Sequence, residues 1–173
     1  GLKVISNRAV GYENIDLRAA KKNNIKIGNT PGVLVESCAD FTMGLMLDLA
    51  RNITFSNRNV IDGKWVSFDQ TPYLGTDVYQ KHLAIIGLGQ IATSVARRAV
   101  NGFNMEVSYW SRKRKPEIES ELNLRYVNDI NELIQNCDYL SIHCALTEDT
   151  YRIIDKEQFD LMKDVKLINT SRG

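Results

Sequence analysis

A chain of 173 residues, 43% hydrophobic and 25% charged, is long enough to bury one substantial core and too apolar to be disordered. Its 22 basic and 21 acidic side chains leave a net charge of +1, which excludes the broad positive field that nucleic acid or an anionic membrane would require. The longest apolar runs, Met43 to Leu49 and Leu83 to Ile91, are too short to span a bilayer, and no secretory leader pattern precedes the first strand. Three cysteines, Cys38, Cys137 and Cys144, lack metal-ligand spacing and read as buried reduced thiols of a cytoplasmic protein, with no metal site.

In chain order, Leu2 to Ser6 reads as a buried strand and Ile25 to Ile27 as a second, with helical spacing from Ile15 to Asn23 between them. Such a unit, residues 1–32, is the tail of a domain rather than a whole one. Thr30-Pro31-Gly32 punctuates the chain before a long helix, Glu36 to about Ile61, whose apolar residues surround most of its circumference. That helix turns polar through Arg51, Asn52 and Asn57 and closes at Asp62-Gly63. From His82 onward strand and helix alternate, with strands expected at 83–87, 105–110, 125–127, 139–143 and 165–168, and helices at 91–100, 117–122, 129–135 and 155–162. Strands separated by helices of this length pair in parallel through right-handed crossovers. The expected fold is therefore α/β, a Rossmann-type doubly wound parallel sheet over residues 33–173. Stopping just after its last strand, the chain reads as a piece of a longer protein, truncated at both ends.

The strand at Leu83 and the helix containing Val95 and Ala99 flank Gly87-Leu88-Gly89-Gln90-Ile91-Ala92, which fits G-x-G-x-x-G/A in its required context. Gly87 permits the tight turn, Gly89 carries no Cβ to obstruct a pyrophosphate, and Ala92 is small enough for helix and strand to pack. Free amides at the helix start, among them those of Gln90 and Ile91, face the phosphates with the positive end of the helix dipole. The spacing alone leaves open other Rossmann ligands, such as the adenosyl group of a methyltransferase.

About twenty residues further on, an acidic side chain would accept bonds from the ribose hydroxyls of NAD. The chain instead reads Trp110-Ser111-Arg112-Lys113-Arg114-Lys115, with no carboxylate. Ser111 can donate to a 2′-phosphate and Arg112 can grip it with its planar fork, with Lys113 alongside, so NADP(H) is expected and NAD(H) is the second choice. The alternative is a merely solvated basic turn.

Taken with Asn29-Thr30-Pro31-Gly32, His143-Cys144-Ala145-Leu146-Thr147 and Asn169-Thr170-Ser171-Arg172-Gly173, these motifs make the whole chain resemble the D-isomer-specific 2-hydroxyacid dehydrogenases. Tyr73-Leu74-Gly75, Asp77-Val78-Tyr79 and Gly102-Phe103-Asn104-Met105 are most similar to the glyoxylate/hydroxypyruvate reductases within that family, which typically use NADPH. The resemblance implies an oxidoreductase that reduces a 2-oxo acid to the D-2-hydroxy acid. It implies that residues 1–32 end a flavodoxin-like substrate domain, that the long helix crosses between domains, and that substrate lies in the cleft. Arg172 matches the arginine that binds substrate carboxylate and carbonyl, and Val10 and Gly11 match the loop whose amides receive the carboxylate. Leu146, Thr170 and Ser171 fall beside the cofactor, and a homodimer through the long helix and the arm after it, including Trp65, is implied.

The chain departs from the family pattern at Gln90, where an arginine is usual, and at Ala92, the third glycine. His143 precedes the arginine and is read as structural, His82 as a surface residue, and Trp65 and Trp110 as packing residues. Asp129, Glu132, Asp138, Glu148 and Asp149 are explained by capping and solvation. The catalytic glutamate and histidine implied by the family lie beyond Gly173, so the fragment itself is expected to be inactive. A different class remains open: a non-catalytic NAD(P)-sensing binding protein or corepressor of the same fold.

Overall fold

The structure is a computed structural model that describes residues 1–171. The chain divides into two compact units, Gly1–Glu36 and a larger one from Ser37 onward. The first holds β1 (Val4–Ser6), α1 (Leu17–Lys22) and β2 (Lys26–Gly28), with β1 and β2 paired in parallel. Asp16 caps α1 through the Ala19 amide. The expected buried strand is not buried here: Leu2 and Val4 stand exposed and Ala20 is the unit's one buried apolar residue among those described. Two short strands and a six-residue helix have too little surface to cover both faces of a sheet.

The chain enters the larger unit within α2 (Val35–Arg51), which α3 (Ile53–Ile61) follows. The single helix expected over 36–61 is interrupted at Asn52, which takes a left-handed conformation (φ 54°). Asparagine tolerates that region, and its side-chain amide donates to the Leu74 carbonyl at 2.9 Å, so the break is locked. Asp48 then caps the new helix, accepting from the Thr54 amide and hydroxyl at 2.6 and 2.8 Å. Those two bonds hold its carboxyl below the ordinary carboxylate range.

The remaining elements are β3 (His82–Ile86), α4 (Gln90–Phe103), β4 (Glu106–Trp110), α5 (Pro116–Leu122), β5 (Arg125–Tyr126), α6 (Ile130–Gln135), β6 (Tyr139–Ile142), α7 (Lys156–Leu161) and β7 (Lys166–Asn169). The five strands pair in parallel in the order β5-β4-β3-β6-β7. Counted from β3, this is the 3-2-1-4-5 order of a doubly wound Rossmann sheet, with its switch point between β3 and β6. Period-two alternation divides β3 between two cores. Leu83 and Ile85 face α2 and α4 through Met43, Met46, Val95 and Ala99, while Ala84 and Ile86 join Leu133, Ile134 and Leu140 on the other side. The sheet is thus covered on both faces, as parallel pairing requires.

Ser108 and Ser141, fully buried on the strands flanking β3, are each hydrogen bonded to a histidine. Ser108 Oγ lies 2.7 Å from His82 Nε2, whose Nδ1 meets the Asn136 carbonyl. His82 is therefore a tie across the sheet's amino end rather than the expected surface residue. All three cysteines are free and partly rather than fully buried, and burial pushes the Cys137 thiol up to about 12. Among the described residues no helix is long and apolar enough to cross a membrane.

Candidate dinucleotide site

The carboxyl end of β3 is tied to both neighbours. Gly87 N donates to Trp110 O and His143 N to Ile86 O, each at 2.8 Å. Gly87 turns the chain with φ +92°, and a Cβ there would come within 2.8 Å of the Cys144 amide nitrogen. This glycine is required twice over, by its dihedral and by the packing of the β6 exit loop.

Gly89 is different. Its φ of −85° suits any residue, yet a Cβ there would meet no atom within 4 Å, so the side of the loop that it leaves bare is open space. It caps α4, a helix of 14 residues whose first turn closes with Thr93 N on Gly89 O at 2.9 Å. The preceding amides, of Gln90, Ile91 and Ala92, have no acceptor within their own helix by geometry, the kind of donor group that can receive an anion. Ala92 itself is fully buried against the sheet, so its contribution is close helix–strand packing rather than ligand contact.

A groove of about 580 Å³ runs from this loop along the ends of β3, β4 and β6, lined by Gly87, Gly89, Ser111, Arg112, Lys113 and Lys115 together with Trp110, His143, Cys144, Ala145 and Thr150. It brings the glycine loop and the basic turn into one concavity, at the place where a Rossmann sheet holds a dinucleotide. Ser111 is buried, and its hydroxyl donates to the Lys113 carbonyl at 2.6 Å, so it organises the turn that presents Arg112 and Lys113. Arg112 reaches Asp149 only loosely, at 3.9 Å with both side chains exposed, a pairing weak enough to yield to a phosphate.

His143 accepts or donates at Ser141 Oγ, 2.8 Å away, and burial pushes its imidazole down to about 4. It is neutral at physiological pH and fixed, as a structural residue of the groove wall. Trp110 is a wall residue as well as a packing one. Leu146 is exposed in the loop after β6, which Thr150 braces by donating to Ala145 O at 2.5 Å.

After β7, Ser171 donates to Asn169 Oδ1 through both its amide (2.9 Å) and its hydroxyl (2.6 Å), forming a tight turn. Thr170 meets the buried Thr42 of α2, hydroxyl to hydroxyl at 3.1 Å. Arg172, expected to bind substrate, lies outside the described residues. In the smaller unit the loop with Val10 and Gly11 is tied by two asparagines: Asn29 donates to Val10 O at 2.8 Å and Asn7 to Gly11 O at 2.7 Å. The close approach that Gly11 permits is that of the Glu13 carboxylate, which fills the space beside its α-carbon.

Sequence reasoning passed over Lys115, Trp110 and Cys144 as groove residues and the Thr42–Thr170 contact. Only the basic run gave a signal for any of them, since the other partners meet across long stretches of chain.

A parallel sheet in this order, with a glycine loop opening into a basic groove at its switch point, defines a Rossmann-type dinucleotide-binding domain. More narrowly, the chain belongs to the D-isomer specific 2-hydroxyacid dehydrogenase family, whose NAD binding domain matches residues 43–173. It is 43% identical over 174 residues to a glyoxylate reductase of Korarchaeum cryptofilum, covering 99% of this chain and 52% of that protein. A glyoxylate reductase of Pyrococcus horikoshii is 41% identical, with the same two shares covered. The crystal structure of the TT0316 protein from Thermus thermophilus superposes with a TM-score of 0.91 at 37% identity, over 100% of this chain and 54% of that one. The chain thus spans about half the length of the relatives it matches.

Proposed function

We propose that the protein to which this chain belongs is an NADPH-dependent reductase that converts a small 2-oxo acid, glyoxylate or hydroxypyruvate, to the D-2-hydroxy acid. The observation that carries the reading is the open space beside Gly89 in the same groove as Arg112 and Lys113. Relatives of the chain are glyoxylate reductases, which points to the substrate class. The cofactor when bound supplies the hydride. The chain's own part is to hold and orient: the α4 amides and Gly89 receive the pyrophosphate, and Arg112 and Lys113, on the turn organised by Ser111, receive the 2′-phosphate. Leu146, Thr170 and Ser171 border the cofactor. Arg172 binds the substrate carboxylate and steadies the carbonyl oxygen as negative charge grows there, and the Val10–Gly11 amides receive the carboxylate.

Neither described histidine supplies the proton. His143 is neutral and bonded to Ser141, and His82 begins the strand whose other end reaches the groove. That role goes to the histidine that the family resemblance implies after Arg172. The smaller unit is read as the end of a flavodoxin-like substrate domain, and the three free thiols fit the reducing cytoplasm.

We further infer a homodimer through α2 and the arm that follows α3. Phe41 and Leu49 lie on one face of α2, and Ile61, Val66 and Phe68 are exposed after it.

The test is oxidation of NADPH and NADH by the full-length protein with glyoxylate, hydroxypyruvate and pyruvate. Turnover preferring NADPH is expected, with loss of turnover but retained cofactor affinity in Arg172→Ala. A preference for NADH overturns the reading of Arg112. Cofactor binding with no turnover on any 2-oxo acid supports the sensing protein instead.

A further inference from the structure

Four consecutive cations, Arg112 to Lys115, leave β4, but they do not face the same way. Arg112, Lys113 and Lys115 line the dinucleotide groove, whereas Arg114 lines a separate concavity on the far side of the turn, together with Glu119 and Tyr126. Glu119 is the cause. From α5 its carboxylate accepts Arg114 Nε at 2.9 and 3.1 Å and Nη2 at 2.8 Å, a two-pronged pairing, and its side chain is only 12% exposed. The same carboxylate accepts the Tyr109 hydroxyl at 2.6 Å, and that hydroxyl in turn accepts the Lys115 amide at 2.8 Å. Arg114 also lies over the Tyr126 ring, which meets Tyr109 edge to face.

We propose that Tyr109, Glu119 and Arg114 form a latch that sets dinucleotide selectivity by pinning the 111–115 turn so that Arg112, Lys113 and Lys115 stay on the groove side. These are positioning residues: none of the three lines the groove. The proposal rests on the NADPH reading above and assigns it a supporting structure. The latch keeps its ionic form over a wide pH range. Arg114 and Tyr109 hold the Glu119 carboxyl below its ordinary value, and burial followed by the Glu119 bond pushes the Tyr109 hydroxyl up to about 12.

Positioning and simple electrostatics predict opposite signs. Glu119 is a negative charge near a site for phosphate, so by charge alone its removal strengthens NADPH binding. If it positions the cations, removal weakens NADPH and leaves NADH alone. In the full-length protein, Glu119→Gln and Glu119→Ala should raise the KM for NADPH about tenfold, the equivalent of one charge-assisted hydrogen bond. The KM for NADH should stay within about twofold, with kcat unchanged. Tyr109→Phe, which changes no charge, should move the ratio in the same direction by a smaller factor, and serves if the Glu119 variants do not fold. An NADPH KM that is unchanged or lower in these variants, or equal losses for both cofactors, overturns the latch.

Arg112→Ala, measured beside them, separates the two claims. If it leaves the NADPH/NADH ratio at the wild-type value, the cofactor reading fails and the latch with it. If it collapses the ratio while the Glu119 and Tyr109 variants do not, only the latch fails.

Discussion

At the scale of single residues, the two loop glycines separate folding from binding. Gly87→Ala forces a side chain into positive φ and against the Cys144 backbone, and each is costly, so a loss of about 2–3 kcal/mol of stability is expected from denaturant unfolding. Gly89→Ala meets nothing at a φ of −85° and should leave stability within about 0.5 kcal/mol. In the full-length protein it should nevertheless weaken NADPH binding about tenfold or more, because the methyl occupies the space left for the pyrophosphate. A Gly89→Ala variant with normal affinity would remove the central support for that placement. The glycine pattern was legible because everything that defines it is local: a strand, two glycines and a helix start within a few residues.

The histidines were not legible in the same way. His82 meets Ser108 and Asn136, 26 and 54 residues away, and nothing in the sequence around it announces either partner. His143 is held by Ser141, and its neutrality comes from burial that only the folded sheet provides. That burial has a consequence for pH. With a folded value near 4 against an ordinary value of 6.5, His143 binds its proton more readily when unfolded. Its contribution is therefore complete above about pH 6.5, is lost as pH falls from there toward 4, and is constant below. Urea midpoints between pH 7.5 and 4.5 should show stability falling with acid, and His143→Gln should make that fall shallower by up to about 1.4 kcal/mol per pH unit. An unchanged slope would show that the imidazole takes up its proton as readily in the folded protein as in the unfolded one.

At the scale of elements, the strands and helices after His82 were readable from alternating patterns, and their ends fall within one to three residues of expectation. The break between α2 and α3 was not, because helical spacing of apolar residues continues through it. What interrupts the helix is a polar exchange: Asn52 turns left-handed to reach Leu74 O, and Asp48 takes over Thr54. Asn52→Ala removes the side-chain bond and keeps the unfavourable φ, for an expected loss of about 1–3 kcal/mol. Asn52→Gly removes the bond but relieves the φ, so its loss should be the smaller of the two by about 1 kcal/mol. Equal losses in thermal or urea unfolding would mean that the left-handed turn carries no cost at this site. The first unit shows the converse limit. Its strands were found by their apolar residues, but apolar composition does not say what covers them, and Leu2 and Val4 stand exposed.

At the scale of the whole molecule, the Rossmann sheet buries its own faces well, while exposed apolar side chains recur, among other places, from α2 into the arm: Phe41 and Leu49 on α2, Ile53, Phe55 and Ile61 on α3, then Val66 and Phe68. Isolated exposed apolar residues are ordinary, but a run along consecutive elements is the surface that the proposed dimer would cover. Part of that surface is already ordered, since Trp65 stacks on Tyr73 at 5.1 Å and Tyr73 lies beside Phe55, which gives the arm a shape to present before any partner arrives. If a second copy covers this face, the apolar residues it closes over cannot accept a charge. Placing an unpaired carboxylate in a closed apolar contact costs at least about 2 kcal/mol, or roughly thirtyfold in dissociation constant. Phe41→Asp and Phe68→Asp in the full-length protein should therefore shift sedimentation from dimer toward monomer, each with little effect on the unfolding of the monomer because both side chains are already in solvent. A wild-type protein that sediments as a monomer, or variants that remain as tightly paired as the parent, would remove α2 and the arm from the interface.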